Sequence, residues 1–107
     1  MSNWKHISVD DLQAQYKDWN VVDIRDADTY NQGHIPGALN LSNDNINQFI
    51  DDADQSKPLA VICYGGKSSM GAAEVLSNAG FATVYSVDGG MMAWQSTHPN
   101  EMESSES

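Results

Sequence analysis

Residues 58–80, PLAVICYGGKSSMGAAEVLSNAG, constrain this chain more than any other stretch. Pro58 opens an apolar run that reads as a buried strand ending at Cys63. Gly65 and Gly66 then turn the chain, and from Ser68 onward Ala72, Val75, Leu76 and Ala79 fall on one face of a helix that Gly80 stops. A strand that feeds a helix through a tight turn is half of a parallel crossover unit, and the rest of the chain repeats the alternation. Strands are expected at HIS (6–8), NVVDI (20–24), ALNLS (38–42) and FATVYSV (81–87). A helix near 9–18 has Ser8 and Asp11 at capping-box spacing and Val9, Leu12 and Tyr16 on one face. A short helix follows Arg25, capped by Asp26 and stopped at Gly33, and another carries Ile46, Phe49 and Ile50 behind a cap at Ser42 or Asn43. Gly89 and Gly90 turn into a last helix bearing Met92 and Trp94. This order predicts an α/β fold with a central, mostly parallel sheet of about five strands and helices on both faces. In such sheets ligands bind beyond the carboxyl ends of the strands, where Cys63 stands.

At 107 residues the chain suits one domain, expected over 1–98. The remainder, PNEMESSES at 99–107, is acidic and Ser-rich, and its composition predicts a mobile tail. There is no apolar run of the roughly 18 residues that span a bilayer and no apolar leader behind a basic start, so no membrane association and a cytoplasmic location are expected. The single cysteine cannot close an internal disulfide, and a reducing compartment keeps it free. Fifteen acidic against five basic residues give a net charge of -10, which argues against nucleic acid as a partner. The same charge repels small anions at long range, so an anion site needs local positive potential of its own.

The loop CYGGKSS is built to supply it. A strand, a Gly-Gly turn and a helix start aim backbone N–H groups at one point and make a cradle for an anion. A thiol at its rim ionises more readily than the reference value of about 8.5. Lys67 adds a nearby cation, and the hydroxyls of Ser68 and Ser69 add donors. Taken alone, a cysteine after AVI is more often a small apolar core residue, a surface lysine is usually just solvated, and serine is a routine cap. The glycine turn and helix start reverse that preference for Cys63. Phosphate ester hydrolysis on such a loop needs a bidentate cation, in cysteine phosphatases an Arg six positions after the nucleophile. Here that position is Ser69, and Arg25, the only arginine, lies on a different loop. Sulfur transfer needs less room and no guanidinium, and is favoured.

Three segments together resemble the rhodanese family. VVDIRDADTYNQGHIPGALNL (21–41) is similar to its N-terminal signature, GFATVYSVDGGMMAWQ (80–95) to its C-terminal signature, and the cysteine loop lies between them. In single-domain members the loop likewise has Tyr after the cysteine, Gly three positions on and a closing Ser pair, whereas many bacterial members place Arg where this chain has Ser68. The resemblance implies a rhodanese-like fold and a thiosulfate:cyanide sulfurtransferase. Cys63 is then the persulfide-forming residue, and Tyr64, Gly65, Gly66, Lys67, Ser68 and Ser69 form the loop that binds the donor, with Lys67 as cation. It implies thiosulfate as donor and cyanide, a thiol or thioredoxin as acceptor. Asp23 and Arg25 look like a scaffold pair, His34 a hydrogen-bonding loop residue and Trp94 core packing. No cofactor is implied, and no His, Cys and carboxylate cluster has metal-ligand spacing. Two rivals remain: a sulfur carrier loaded by a protein donor, and, less favoured, a phosphatase or arsenate reductase.

Overall fold

All four residues of the apolar run 59–62 are buried because they form the middle of a sheet covered on both faces. The computed structural model describes residues 3–105. Its strands are β1 (Trp4–Ile7), β2 (Asn20–Asp23), β3 (Leu39–Asn40), β4 (Leu59–Ile62) and β5 (Val84–Val87). Its helices are α1 (Val9–Gln13), α2 (Ala27–Gln32), α3 (Ile46–Asp52), α4 (Ser68–Asn78) and α5 (Gly90–Thr97). The five strands are all parallel, in the order β1-β5-β4-β2-β3. The α/β sheet expected from the alternation is therefore present.

Strand side chains alternate between faces, and the two cores follow that period. Ala60 and Ile62 of β4 and Val21 of β2 join Leu12, Tyr16, Met91 and Trp94 in one cluster, beneath α1 and α5. Leu59 and Val61 with Val22 join Ala73, Leu76 and Phe81 in the other, against α4, with Ile46, Phe49 and Ile50 of α3 packed on it. Tyr30 of α2 packs on the first cluster, so α2 and α4, which follow adjacent strands, leave the sheet toward opposite faces. Their departure opens a crevice between the carboxyl ends of β2 and β4, the place where such sheets bind ligands.

Several boundaries differ from the sequence expectation. The helix expected near 9–18 ends at Gln13, and Tyr16–Asp18 forms a separate 3-10 turn that still buries Tyr16. Ser8 and Asp26 do cap their helices, accepting from the amides of Asp11 and Thr29. Asn45, rather than Ser42 or Asn43, precedes α3, and its side chain instead accepts from the Ser42 amide at 2.8 Å. In α4 the face turned inward is Ser69, Ala73 and Leu76, while Val75 is exposed. In α5 Trp94 is fully buried, as expected, but Met92 is exposed and Met91 takes the core position.

The acidic segment after α5 runs back over the domain rather than away from it. The Tyr16 hydroxyl donates to the Glu101 carboxylate at 2.7 Å, and Trp94 Nε1 donates to the Glu101 carbonyl at 2.9 Å. Glu103 and His34 exchange backbone bonds of 2.9 Å in both directions, and the Ser105 amide donates to the Asn31 carbonyl at 2.9 Å. Burial and then the Glu101 carboxylate push the Tyr16 phenol up to about 12, which keeps it a donor. The segment expected as a mobile tail is thus hydrogen-bonded to the domain through Ser105, and residues 106–107 lie outside the described residues.

Candidate active site

Strand β4 delivers Cys63 to the centre of the sheet's carboxyl edge, beside the crevice between β2 and β4. Its Sγ accepts hydrogen bonds from the amides of Gly66 at 3.1 Å and Ser69 at 3.2 Å. The loop is also tied down on its opposite side. The amides of Met91 and Met92, at the start of α5, donate to the carbonyls of Cys63 and Tyr64 at 2.8 and 3.0 Å. These bonds fix the Cys63–Tyr64 and Tyr64–Gly65 peptides, and the turn that follows brings the Gly66 and Ser69 amides to the sulfur. The approach is close enough to demand glycine twice. Gly90 sits at φ +56°, where a Cβ would stand 2.6 Å from the Tyr64 carbonyl oxygen, and Gly66 sits at φ +95°, where a Cβ would stand 2.6 Å from the Gly89 nitrogen.

Burial pushes the Cys63 thiol up, but the Ser69 hydroxyl and the amides of Ser69, Gly66 and Gly65 outweigh it together, and the thiol lies below its ordinary value. The group is an acid with a depressed folded-state pKa. Its contribution to stability is therefore complete above the unfolded value, about 8.5, and is lost as pH falls through the lower folded value. Alkylation by iodoacetamide reads the same quantity. We expect the rate to rise through an inflection at lower pH in the native protein than in the urea-unfolded chain, and coincident inflections would contradict a thiolate-stabilising loop.

A pocket of about 300 Å³ opens over the sulfur, with Ile24, Arg25, Asp26 and Thr29 on one side and Cys63, Tyr64 and Ser68 on the other. Cys63 is buried but forms part of this wall, and Tyr64 is 62% exposed at the mouth. Gly65, Gly66 and Ser69 belong to the amide cradle below. Ser69 is fully buried and its hydroxyl shares a 2.8 Å hydrogen bond with that of Ser86, a strand residue the sequence reading did not single out. Lys67 precedes α4, exposed, and does not line the pocket. Arg25, set aside in the sequence reading because it lies on another loop, is the cation that the fold brings to this wall. Its Nε and Nη2 donate to the buried Asp23 carboxylate at 2.7–3.0 Å, and Nη2 also donates to the Gly33 carbonyl at 2.7 Å. Nη1 makes no hydrogen bond among the described residues and is not sealed from solvent.

Asp23 and Arg25 thus form the scaffold pair expected of them, and His34 is the hydrogen-bonding loop residue: its Nδ1 bonds the Tyr30 carbonyl at 2.7 Å and its Nε2 the Glu103 carboxylate at 3.2 Å. Among the described residues no three His, Cys, Asp or Glu side chains gather as metal ligands, and no helix is long and apolar enough to cross a membrane.

Known proteins with the same arrangement can now be set beside this chain. The family model of the rhodanese-like domain matches residues 8–97. The thiosulfate sulfurtransferase GlpE of Shewanella oneidensis is 50% identical over 96 residues, 88% of this chain and 95% of that protein. The protein of the same name from Pseudomonas savastanoi pv. phaseolicola is 46% identical over 94% of this chain and 96% of its own length. Among solved structures, the Alr3790 protein from Anabaena sp. superposes with a TM-score of 0.81 at 25% identity, covering 92% of this chain and 80% of that one. A rhodanese-related protein from Thermoplasma volcanium gives 0.77 at 28% identity over 89% and 94% of the two chains. The likeness takes in both flanking signatures, the cysteine loop and the five-stranded sheet that joins them, and by it the chain belongs to the rhodanese-like domain family.

Proposed function

We infer that this protein is a thiosulfate sulfurtransferase that works through a persulfide on Cys63. The observation that carries the reading is the seating of one lone sulfur: two amides aimed at the Sγ of a residue in the pocket wall, in a chain half identical to a thiosulfate sulfurtransferase over 88% of its length. The Cys63 thiolate attacks the outer sulfur of thiosulfate. The sulfur–sulfur bond of the donor breaks, and sulfite departs with the bonding pair. Cys63 then carries a terminal sulfur bearing the negative charge, which the amides of Gly66 and Ser69 continue to stabilise. In the second half-reaction a nucleophile attacks that terminal sulfur and Cys63 leaves as thiolate, the two steps forming a ping-pong cycle. Cyanide yields thiocyanate, and a thiol yields its persulfide.

The incoming dianion meets a protein of net charge -10, so the local cation matters. Arg25 fills this role better than Lys67, because it lines the pocket, which Lys67 does not, and Asp23 and Gly33 hold its guanidinium in place. A thiol is the natural acceptor in a reducing cytoplasm, where a lone cysteine stays free of disulfides; thioredoxin is a protein acceptor of that kind. The reading is tested by intact mass after incubation with thiosulfate. A gain of one sulfur atom, removed by cyanide with release of thiocyanate, is expected; an unchanged mass at saturating thiosulfate would overturn it.

A further inference from the structure

We propose that a second cavity beside the Cys63 pocket is the acceptor subsite, shaped for a small organic thiol that is neutral or cationic at the end remote from its sulfur. The inference rests on the sulfur-transfer reading above. A cavity of about 660 Å³ opens past the carboxyl ends of β2 and β3, against the starts of α3 and α4. Ile24, Arg25 and Asp26 line it and also line the pocket over Cys63, so the two chambers share a wall. Helix α4 runs along both. Ser68 lines the smaller chamber and Ala72 the larger, one helical turn on, an axial distance of about 6 Å. A molecule lying in the larger chamber can therefore place its sulfur at a Cys63 persulfide by reaching across little more than one turn.

The lining states what the molecule is. Ile24, Leu41, Ile46 and Ala72 provide an apolar surface for a hydrocarbon body. The Asn40 side-chain amide is already spent on the carbonyls of Asp23 and Arg25, and the Ser42 hydroxyl accepts from the Asp44 amide. The charged groups of the chamber are Arg25, whose Nε and Nη2 are engaged by Asp23 and Gly33, and the two carboxylates of Asp26 and Asp44, which outnumber it. A second anionic group on the acceptor meets these carboxylates, whereas a hydroxyl or ammonium is accommodated. Cyanide, with two atoms, needs none of this volume. In the step itself the acceptor thiol gives its proton to water, its thiolate attacks the terminal sulfur, and the Cys63 sulfur–sulfur bond breaks. Cys63 departs as thiolate, and the acceptor leaves as a persulfide anion.

The test uses the intact protein loaded with thiosulfate, with loss of the added sulfur followed by mass on addition of cyanide, 2-mercaptoethanol, cysteamine or mercaptosuccinate. Ala72→Phe and Asn43→Trp fill the larger chamber and lie outside the Cys63 pocket. Each is expected to slow discharge into 2-mercaptoethanol and cysteamine about tenfold while loading and cyanide discharge stay within about twofold. Asp44→Asn is expected to speed mercaptosuccinate relative to cysteamine. Unchanged thiol discharge in the filled variants, or equal slowing with cyanide, overturns the subsite. Should Ala72→Phe fail to fold, Asn43→Trp, on an exposed loop, decides alone. Failure of the wild-type protein to load at all overturns the sulfurtransferase reading itself, and is distinguished by appearing before any acceptor is added.

Discussion

Cys63→Ser is expected to lower thiosulfate-to-cyanide transfer by about three orders of magnitude or more, with the fold intact. The loop amides and the Arg25 wall persist in that variant, so any residual rate measures what binding alone contributes. What vanishes is the nucleophile. A serine hydroxyl remains protonated at neutral pH even with two amides aimed at it, and oxygen offers no counterpart to a stable persulfide. Because Sγ is nearly isosteric with Oγ and already accepts from Gly66 and Ser69, the melting temperature should move by only a few degrees. Steady-state assay together with mass after thiosulfate checks both halves. More than a tenth of wild-type turnover, or a mass gain that survives the substitution, would place the chemistry elsewhere.

Arg25→Met is expected to destabilise the domain by about 3–5 kcal/mol, the usual cost of removing one partner of a buried ion pair. Asp23 is 0% exposed, and its carboxylate takes donors from the Arg25 backbone amide, Nε and Nη2. Without the guanidinium a carboxylate is left inside the sheet with one amide for company. For a domain of this length the loss corresponds to a fall in melting temperature on the order of 15–25 °C. Arg25→Lys should fall between, since an ammonium restores the charge without the fork that reaches both Asp23 and Gly33. Calorimetry of the two variants gives the order; a shift of less than about 3 °C for methionine would mean the clamp contributes little.

Much of this was legible in the chain, for reasons that can be named. The cysteine loop and the start of α4 at Ser68 show because glycine pairs and apolar periodicity act locally. On α4 hydrophobicity favours Val75 over Ser69 for the inner face, and the structure has the reverse. Ser69 turns inward because its amide serves the sulfur and its hydroxyl meets Ser86, a partner on β5 that no local pattern announces. Arg25 was discounted by its distance along the chain, although adjacency of β2 and β4 is what brings it to Cys63. The contacts of the segment after α5 were not legible in its composition. Composition does not register position: Met102 packs on the core, the Glu103 carboxylate meets His34 and Gly37, and the backbones of Glu103 and Ser105 bond to His34 and Asn31.

The carbonyls of Cys63 and Tyr64 are held by α5, the last helix in chain order among the described residues. The loop that seats the sulfur therefore depends on a helix that begins 27 positions after the cysteine. The environment of the sulfur is thus a property of the whole domain, in which the chain from β4 to α5 must be in place together.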